Sequence, residues 1–114
     1  MSLFKLTRLE CKRTSGSGTS DDDVYMNVQI DDNELKRKVW GGSHGESIES
    51  GDTKTIGLIY DVTDKLRVDL WEWDANSSND LLGSTMIYAD SQSGNRVLVN
   101  PEEQDEYILY FEKL

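Results

Sequence analysis

The sequence predicts an all-β domain, built as a sandwich or a small barrel. Three observations carry that expectation. Apolar residues recur at every second position in short runs along the chain, which is the period of a half-buried strand. Clusters of Gly, Asn, Asp and Ser separate these runs at intervals of about 8–12 residues. Nine glycines and a single proline suit a chain of many short strands and turns. With 114 residues there is material for one domain and one core, so a single domain over 1–114 is expected.

The first strand is expected from Leu3 to Cys11. Phe4 and Leu6 share one parity, Leu9 and Cys11 the other; the switch predicts a bulge or a strand buried on both faces. Thr14 to Ser20 reads as a flexible loop, closed by Asp21-Asp22-Asp23. Val24, Met26, Val28 and Ile30 alternate with Tyr25, Asn27 and Gln29 as the second strand, and Asp31-Asp32-Asn33 makes the turn after it. The third strand runs from about Leu35 to Trp40, and Gly41 to Asp52 is a polar loop. A fourth strand is expected over Thr55 to Tyr60, with a turn at Asp61 to Asp64. The fifth begins at Leu66, the sixth covers Leu82 to Tyr88, the seventh is short at Val97 to Val99, and the last is Tyr107 to Phe111.

The stretch Leu66 to Gly83 is where chemistry concentrates. Leu66, Val68 and Leu70 alternate with Arg67, Asp69 and Trp71. Glu72 and Asp74 continue the parity of the apolar set, so both carboxylates project together where the strand leaves the core. Ala75 to Asn79 are turn formers, and the loop can fold Asp80 back towards the first two acids. Two like charges about 5 Å apart repel by about 3 kcal/mol at an effective dielectric near 20. Two readings are open on spacing alone. The acids form a solvated turn with their carboxylates splayed, or they hold a hard cation such as calcium, which takes 6–8 oxygen ligands.

Composition removes several function classes. Twenty-two acidic against twelve basic residues leave a net charge of -10, which argues against the basic footprint of a nucleic-acid binder. No apolar run is long enough to span a membrane, and Met1 to Arg13 reads as a charged strand rather than a secretory leader. The one cysteine, Cys11, cannot pair within the chain and reads as a buried thiol, so a reducing, cytoplasmic setting fits best. Asp74 to Thr85 is not a helical calcium loop: its sixth position is Asn79 instead of glycine, its twelfth is Thr85 instead of glutamate, and its flanks read as strands. Gly41-x-Ser43-x-Gly45 fits the spacing of a nucleophile elbow, but the only histidine, His44, adjoins the serine and no α/β pattern surrounds it. No triad or zinc site is expected, so the chain is read as a non-enzyme. Lys36-Arg37-Lys38 reads first as a charge-guarded edge strand and second as a contact for phosphate or anionic lipid. Trp71 and Trp73 lie on the parity that faces away from the core and are expected to pack under a loop.

The run Trp71-Glu72-Trp73-Asp74-Ala75-Asn76-Ser77-Ser78-Asn79-Asp80-Leu81-Leu82-Gly83 resembles the third calcium-binding loop of C2 domains. That pattern is a hydrophobic strand, acid-x-acid, five residues, an acid, two apolar residues and glycine. Upstream, Asp23-Val24-Tyr25-Met26-Asn27-Val28 is similar to the Asp-Pro-Tyr-Val-x-Val segment after the family's first calcium loop. The pattern extends over about Leu3 to Tyr88, and the order of the two matches fits the topology that begins on the strand before the first loop.

The resemblance implies an eight-stranded antiparallel β-sandwich whose loops at one end bind calcium and often anionic phospholipid. It makes Asp23 the second acid of the first loop, and Glu72, Asp74 and Asp80 the acids of the third. Four departures modify it. Ser17 stands where the first loop's other acid belongs, with Asp21 and Asp22 as neighbouring acids. Glu72 replaces an aspartate and Val24 a proline, and the Gly41–Asp52 loop replaces an Asn-Pro-x-Trp segment. One calcium ion of modest affinity is therefore expected, with a peripheral membrane surface or a protein as partner. The alternative is a calcium-independent protein-interaction module or accessory subunit on the same fold.

Overall fold

Among the described residues the alternating runs form nine strands: β1 (Ser2–Arg13), β2 (Asp22–Ile30), β3 (Lys36–Trp40), β4 (Glu46–Ile48), β5 (Thr53–Val62), β6 (Lys65–Glu72), β7 (Asp80–Tyr88), β8 (Gly94–Val99) and β9 (Glu106–Lys113). The structure is a computed structural model, and it describes residues 1–14, 22–75, 78–102 and 104–114. The strands make two sheets, one ordered β5-β1-β9-β8 and the other β3-β2-β6-β7, with β4 also paired to β2. Each pairing along these orders is antiparallel. Among the described residues, no helix is long and apolar enough to cross a membrane.

The core lies between the sheets. From one come Phe4, Leu6, Leu9, Leu98, Leu109 and Phe111; from the other, Val24, Met26, Val28, Leu66, Val68, Leu70 and Leu82. Each set follows period-2 alternation, and burial of apolar area is the dominant favourable contribution to folding. At Gly83 an added Cβ would stand 2.8 Å from the backbone nitrogen of Val99, so this glycine lets β7 and β8 approach across the two sheets.

The parity switch in the first strand is a bulge. Leu6 pairs with Phe111 and Arg8 with Tyr110, which leaves Thr7 as an extra residue on β1. Its Oγ1 donates to the Tyr110 carbonyl at 3.1 Å. On the other side Leu6 pairs with Leu58 and Arg8 with Thr55, so Thr7 stands opposite two residues, Ile56 and Gly57. Gly57 takes φ +78, a left-handed conformation that glycine adopts without Cβ strain.

Nine strands replace the eight expected because the Gly41–Asp52 loop contains β4, which pairs with Asp22, Asp23 and Val24 of β2. Ile48 is its one buried residue. The basic run Lys36–Lys38 lies on β3, at an edge of its sheet, as the charge-guarded reading expects.

Candidate functional site

Strand register brings several chain segments to one end of the sandwich. β1 ends where β9 begins, with Arg13 opposite Glu106. β2 begins where β6 ends, with Val24 opposite Glu72, and β4 lies beside the start of β2. The segment before β5 joins them, since Gly51 N–H donates to the Cys11 carbonyl at 2.8 Å. This is the end on which the sequence places its candidate acids.

Glu72 and Asp80 are directly opposite each other at the mouth of the β6–β7 hairpin. Like charges at such a cross-strand pair are unfavourable unless something neutralises them. Glu72 and Asp74 are half-buried and Asp80 is exposed. Asp74 is fixed through its backbone: its N–H donates to Asn79 Oδ1 at 3.0 Å, while Asn79 Nδ2 donates to the Tyr25 hydroxyl at 2.9 Å. Asn79 thus staples the hairpin loop to β2, a role that spacing arguments about acids did not reveal. Asp23 reaches the same region by its main chain, because its carbonyl accepts the N–H of Trp73 at 2.8 Å. Strand alternation puts its side chain on the opposite face of β2 from Val24. Ser17 and Asp21 lie outside the described residues. Among the described residues, no three His, Cys, Asp or Glu side chains are gathered in an arrangement that could hold a metal ion.

Trp73 leaves the strand to pack against His44, with ring centroids 4.5 Å apart and planes inclined by 43°. The glycine loop therefore covers this tryptophan. Trp71 lies on the outer face of its sheet opposite Tyr25, followed by the cross-strand pairs Asn27–Asp69 and Gln29–Arg67. These residues, with Leu35 and Arg37, line a cavity of about 460 Å³. Asp69 is buried there and accepts hydrogen bonds from Ser84 Oγ at 2.6 Å and Arg67 Nε at 3.0 Å. The indole N–H of Trp71 has no acceptor among the described residues.

A second group of acids is buried at the same end of the sandwich. Asp22 and Asp105 are each only 1% exposed. Alternation carries them inward: Asp22 shares a face with Val24, Met26 and Val28, and Asp105 with Tyr107, Leu109 and Phe111. Extending those apolar runs backwards by one step was the available signal. The Tyr107 hydroxyl donates to Asp22 Oδ2 at 2.5 Å. Asp22 also lies within hydrogen-bonding reach of Asp105 and Glu72. Burial pushes the Asp22 carboxyl up to about 9; contact with Asp105 and Glu72 acts in the same sense, against the opposing effect of Tyr107. Burial likewise raises the nearby Cys11 thiol to about 11 and raises the Tyr107 hydroxyl. Cys11 is the buried thiol expected of it.

No protein-family model matches the chain, and neither does any curated protein. Solved structures do resemble it. One, described as the structure of a C2 domain, is 14% identical with a TM-score of 0.55, and the match covers 99% of this chain and 98% of that one. A C2 domain of a plant extended synaptotagmin 1 is 11% identical with a TM-score of 0.52, covering 99% of this chain and 94% of that one. The chain is thus a divergent, C2-like antiparallel β-sandwich.

Proposed function

We propose that this chain is a single-domain, non-enzymatic binding module that takes one calcium ion at its loop end and uses it to engage an anionic phospholipid surface. Asp23, Glu72, Asp74 and Asp80 are the proposed ligands. The observation that carries the reading is the Glu72–Asp80 opposition, with Asp74 held at the same hairpin mouth by Asn79. An all-oxygen, carboxylate-rich donor set suits calcium, whose flexible coordination tolerates the longer arm of Glu72. The ion relieves the repulsion that keeps the acids apart and draws the loops together.

Anionic lipid is favoured as the partner by Lys36, Arg37 and Lys38 of β3 and by Arg67, which lines the outer-face cavity together with Arg37. A peripheral, cytoplasmic protein is the setting that suits this reading. Calcium titration by calorimetry and a thermal melt test it. At about 100 times the dissociation constant, calcium adds about 2.7 kcal/mol of stability, so the melting temperature rises by several degrees. An unchanged melt at millimolar calcium overturns the reading.

A calcium-independent interaction module is the second reading. It is favoured by the lack of any pre-gathered set of three ligands among the described residues. Asp74→Asn separates the two: it abolishes the calcium shift under the first, and under the second it leaves the fold as stable as before or more so.

A further inference from the structure

One outward face is apolar where contact with water would favour polar side chains. β9 is apolar on both parities, with Tyr107, Leu109 and Phe111 inward and Ile108 and Tyr110 outward. That is the pattern of a strand covered on both faces, and the sandwich covers only the inner one. The uncovered apolar positions continue across the same sheet. Leu3 of β1, Ile59 of β5 and Val97 and Val99 of β8 are each 46–54% exposed, and Leu114, just past β9, is 57% exposed. Among the described residues, Tyr88 is their one counterpart on the strands of the other sheet. Register gathers the outward side chains into rows. Ile108 lies between Glu10 and Val97, Tyr110 between Arg8 and Asn95, and the Leu114 N–H donates to the Leu3 carbonyl at 2.9 Å. The middle of the face is held in place: the Arg8 guanidinium stands 3.9 Å from the centre of the Tyr110 ring, whose hydroxyl donates to Glu10 at 2.8 Å. Charge narrows the kind of partner. From Leu3 to Glu10 on β1 and from Ile108 to Leu114 on β9, the outward charges are Lys5 and Arg8 against Glu10 and Glu112. This balanced face belongs to a chain of net charge -10. A partner of strong charge, of either sign, finds no complement there, while a second copy meets little repulsion.

We propose that the outer face of the β5-β1-β9-β8 sheet is a self-association surface, on which two copies of this chain pack face to face about a two-fold axis. An axis parallel to the strands and midway between β1 and β9 exchanges those two strands, and exchanges β5 with β8. Register then sets Leu3 of one copy over Leu114 of the other and Lys5 over Glu112, each contact made twice. β5 lies under β8 of the other copy, so Ile59, Val97 and Val99 leave water together. Four strands about 4.8 Å apart and about eight residues long, at about 3.4 Å per residue, offer about 500 Å² per copy. Doubled, that reaches the lower bound of about 1,000 Å² for a specific interface, so the dimer is weak and concentration-dependent. The acids of the loop end take no part, and the dimer does not depend on the calcium reading.

Sedimentation velocity on the full chain with a chelator present, from about 10 μM to about 1 mM protein, tests the surface. The weight-average mass is expected to rise from 13.0 kDa towards twice that value. Lys5→Glu and Glu112→Lys each set like charges against one another across the axis, and each should weaken the dimer by at least about tenfold. The double reversal, Lys5→Glu with Glu112→Lys, rebuilds the pair with its signs exchanged and should return the affinity to within about threefold of wild type. A chain that stays monomeric throughout, a dimer indifferent to both single reversals, or a double reversal that leaves the dimer broken overturns the proposal. Should a variant fail to fold, methyl NMR on the wild type decides it. Shifts that move with protein concentration are expected at Leu3, Ile59, Val97 and Ile108, and their absence overturns the proposal.

Discussion

At Asp22 the alternation that builds the core places a carboxyl where water does not reach. The folded chain holds a proton there that the unfolded chain gives up near the ordinary carboxylate value of 3.8, and keeps it up to about 9. Across that window the native state binds more protons than the unfolded state, so stability falls as pH rises. Glu10, bonded to Tyr110 and Lys12, and Asp31, held by the N–H groups of Asp64, Lys65 and Thr63, have lowered values and act in the opposite sense. Their contribution is present above the ordinary carboxylate range and is lost on acidification; both are only partly buried and screened by solvent, so it is small. In divalent-free buffer, the melting temperature is therefore expected to decline between about pH 5 and pH 9, and Asp22→Asn to flatten that decline. A wild-type profile that climbs over the same range contradicts this account. Tyr107→Phe removes the donor to a buried acceptor and should cost about 1–3 kcal/mol in urea denaturation. The sequence displayed Asp22 and Asp105 only as charges beside turns. Their burial comes from contacts between segments distant in sequence, such as that of Tyr107 with Asp22, which local pattern does not contain. That Asp74 and Asp80 meet at the mouth of a hairpin was legible because turn spacing is a local property.

The elements were legible wherever alternation ran for four residues or more. β2, β6, β7 and β9 contain the runs expected of them, and the parity change in β1 marks the bulge at Thr7. β4 was hidden because it has three residues and one apolar side chain, Ile48, and owes its existence to pairing with β2. The glycines around it explain why the connection is built that way. An added Cβ at Gly41, which sits at φ +100, would lie 2.3 Å from the Val24 carbonyl oxygen and 2.8 Å from Tyr25 Cα. Gly51 has φ +91 but open space around it. Gly51→Ala should cost only the left-handed strain, about 1–2 kcal/mol, and Gly41→Ala more, because backbone must move. Equal losses in a denaturation series would show that the close approach to β2 is unimportant. Gly83→Ala, pressed against Leu98 and Val99, should cost about 1–3 kcal/mol by overpacking between the sheets.

Over the whole molecule the charge is uneven. A net -10 coexists with a basic run, Lys36–Lys38 of β3, and with Arg67, which joins Arg37 on the outer face of one sheet. Long-range repulsion from an anionic surface and short-range attraction at that face oppose each other, and salt screens the long-range part within a Debye length of about 8 Å at physiological strength. Binding to vesicles rich in phosphatidylserine is therefore expected only when calcium neutralises the loop acids. Arg37→Glu should weaken that binding several-fold while leaving calcium affinity unchanged. Co-sedimentation with and without calcium measures both effects, and vesicle binding that ignores Arg37→Glu would remove this face from the interaction. The sandwich was legible at this scale from turn spacing and strand number. Its likeness to C2 structures at 14% and 11% identity shows how little sequence the architecture requires once the inward positions stay apolar.

The bulge opposite Thr7 has a consequence for life at high concentration. β5 is ten residues long and is the outer strand of its sheet, a template on which another chain could lengthen the ladder. Gly57 turns the backbone out of register halfway along it, and the indole of Trp40 occupies the carbonyl of Thr55. A second molecule aligning there meets two short, mismatched segments instead of one continuous edge. The irregularity that lets β1 exchange faces thus also interrupts the open edge along which another chain would have to pair.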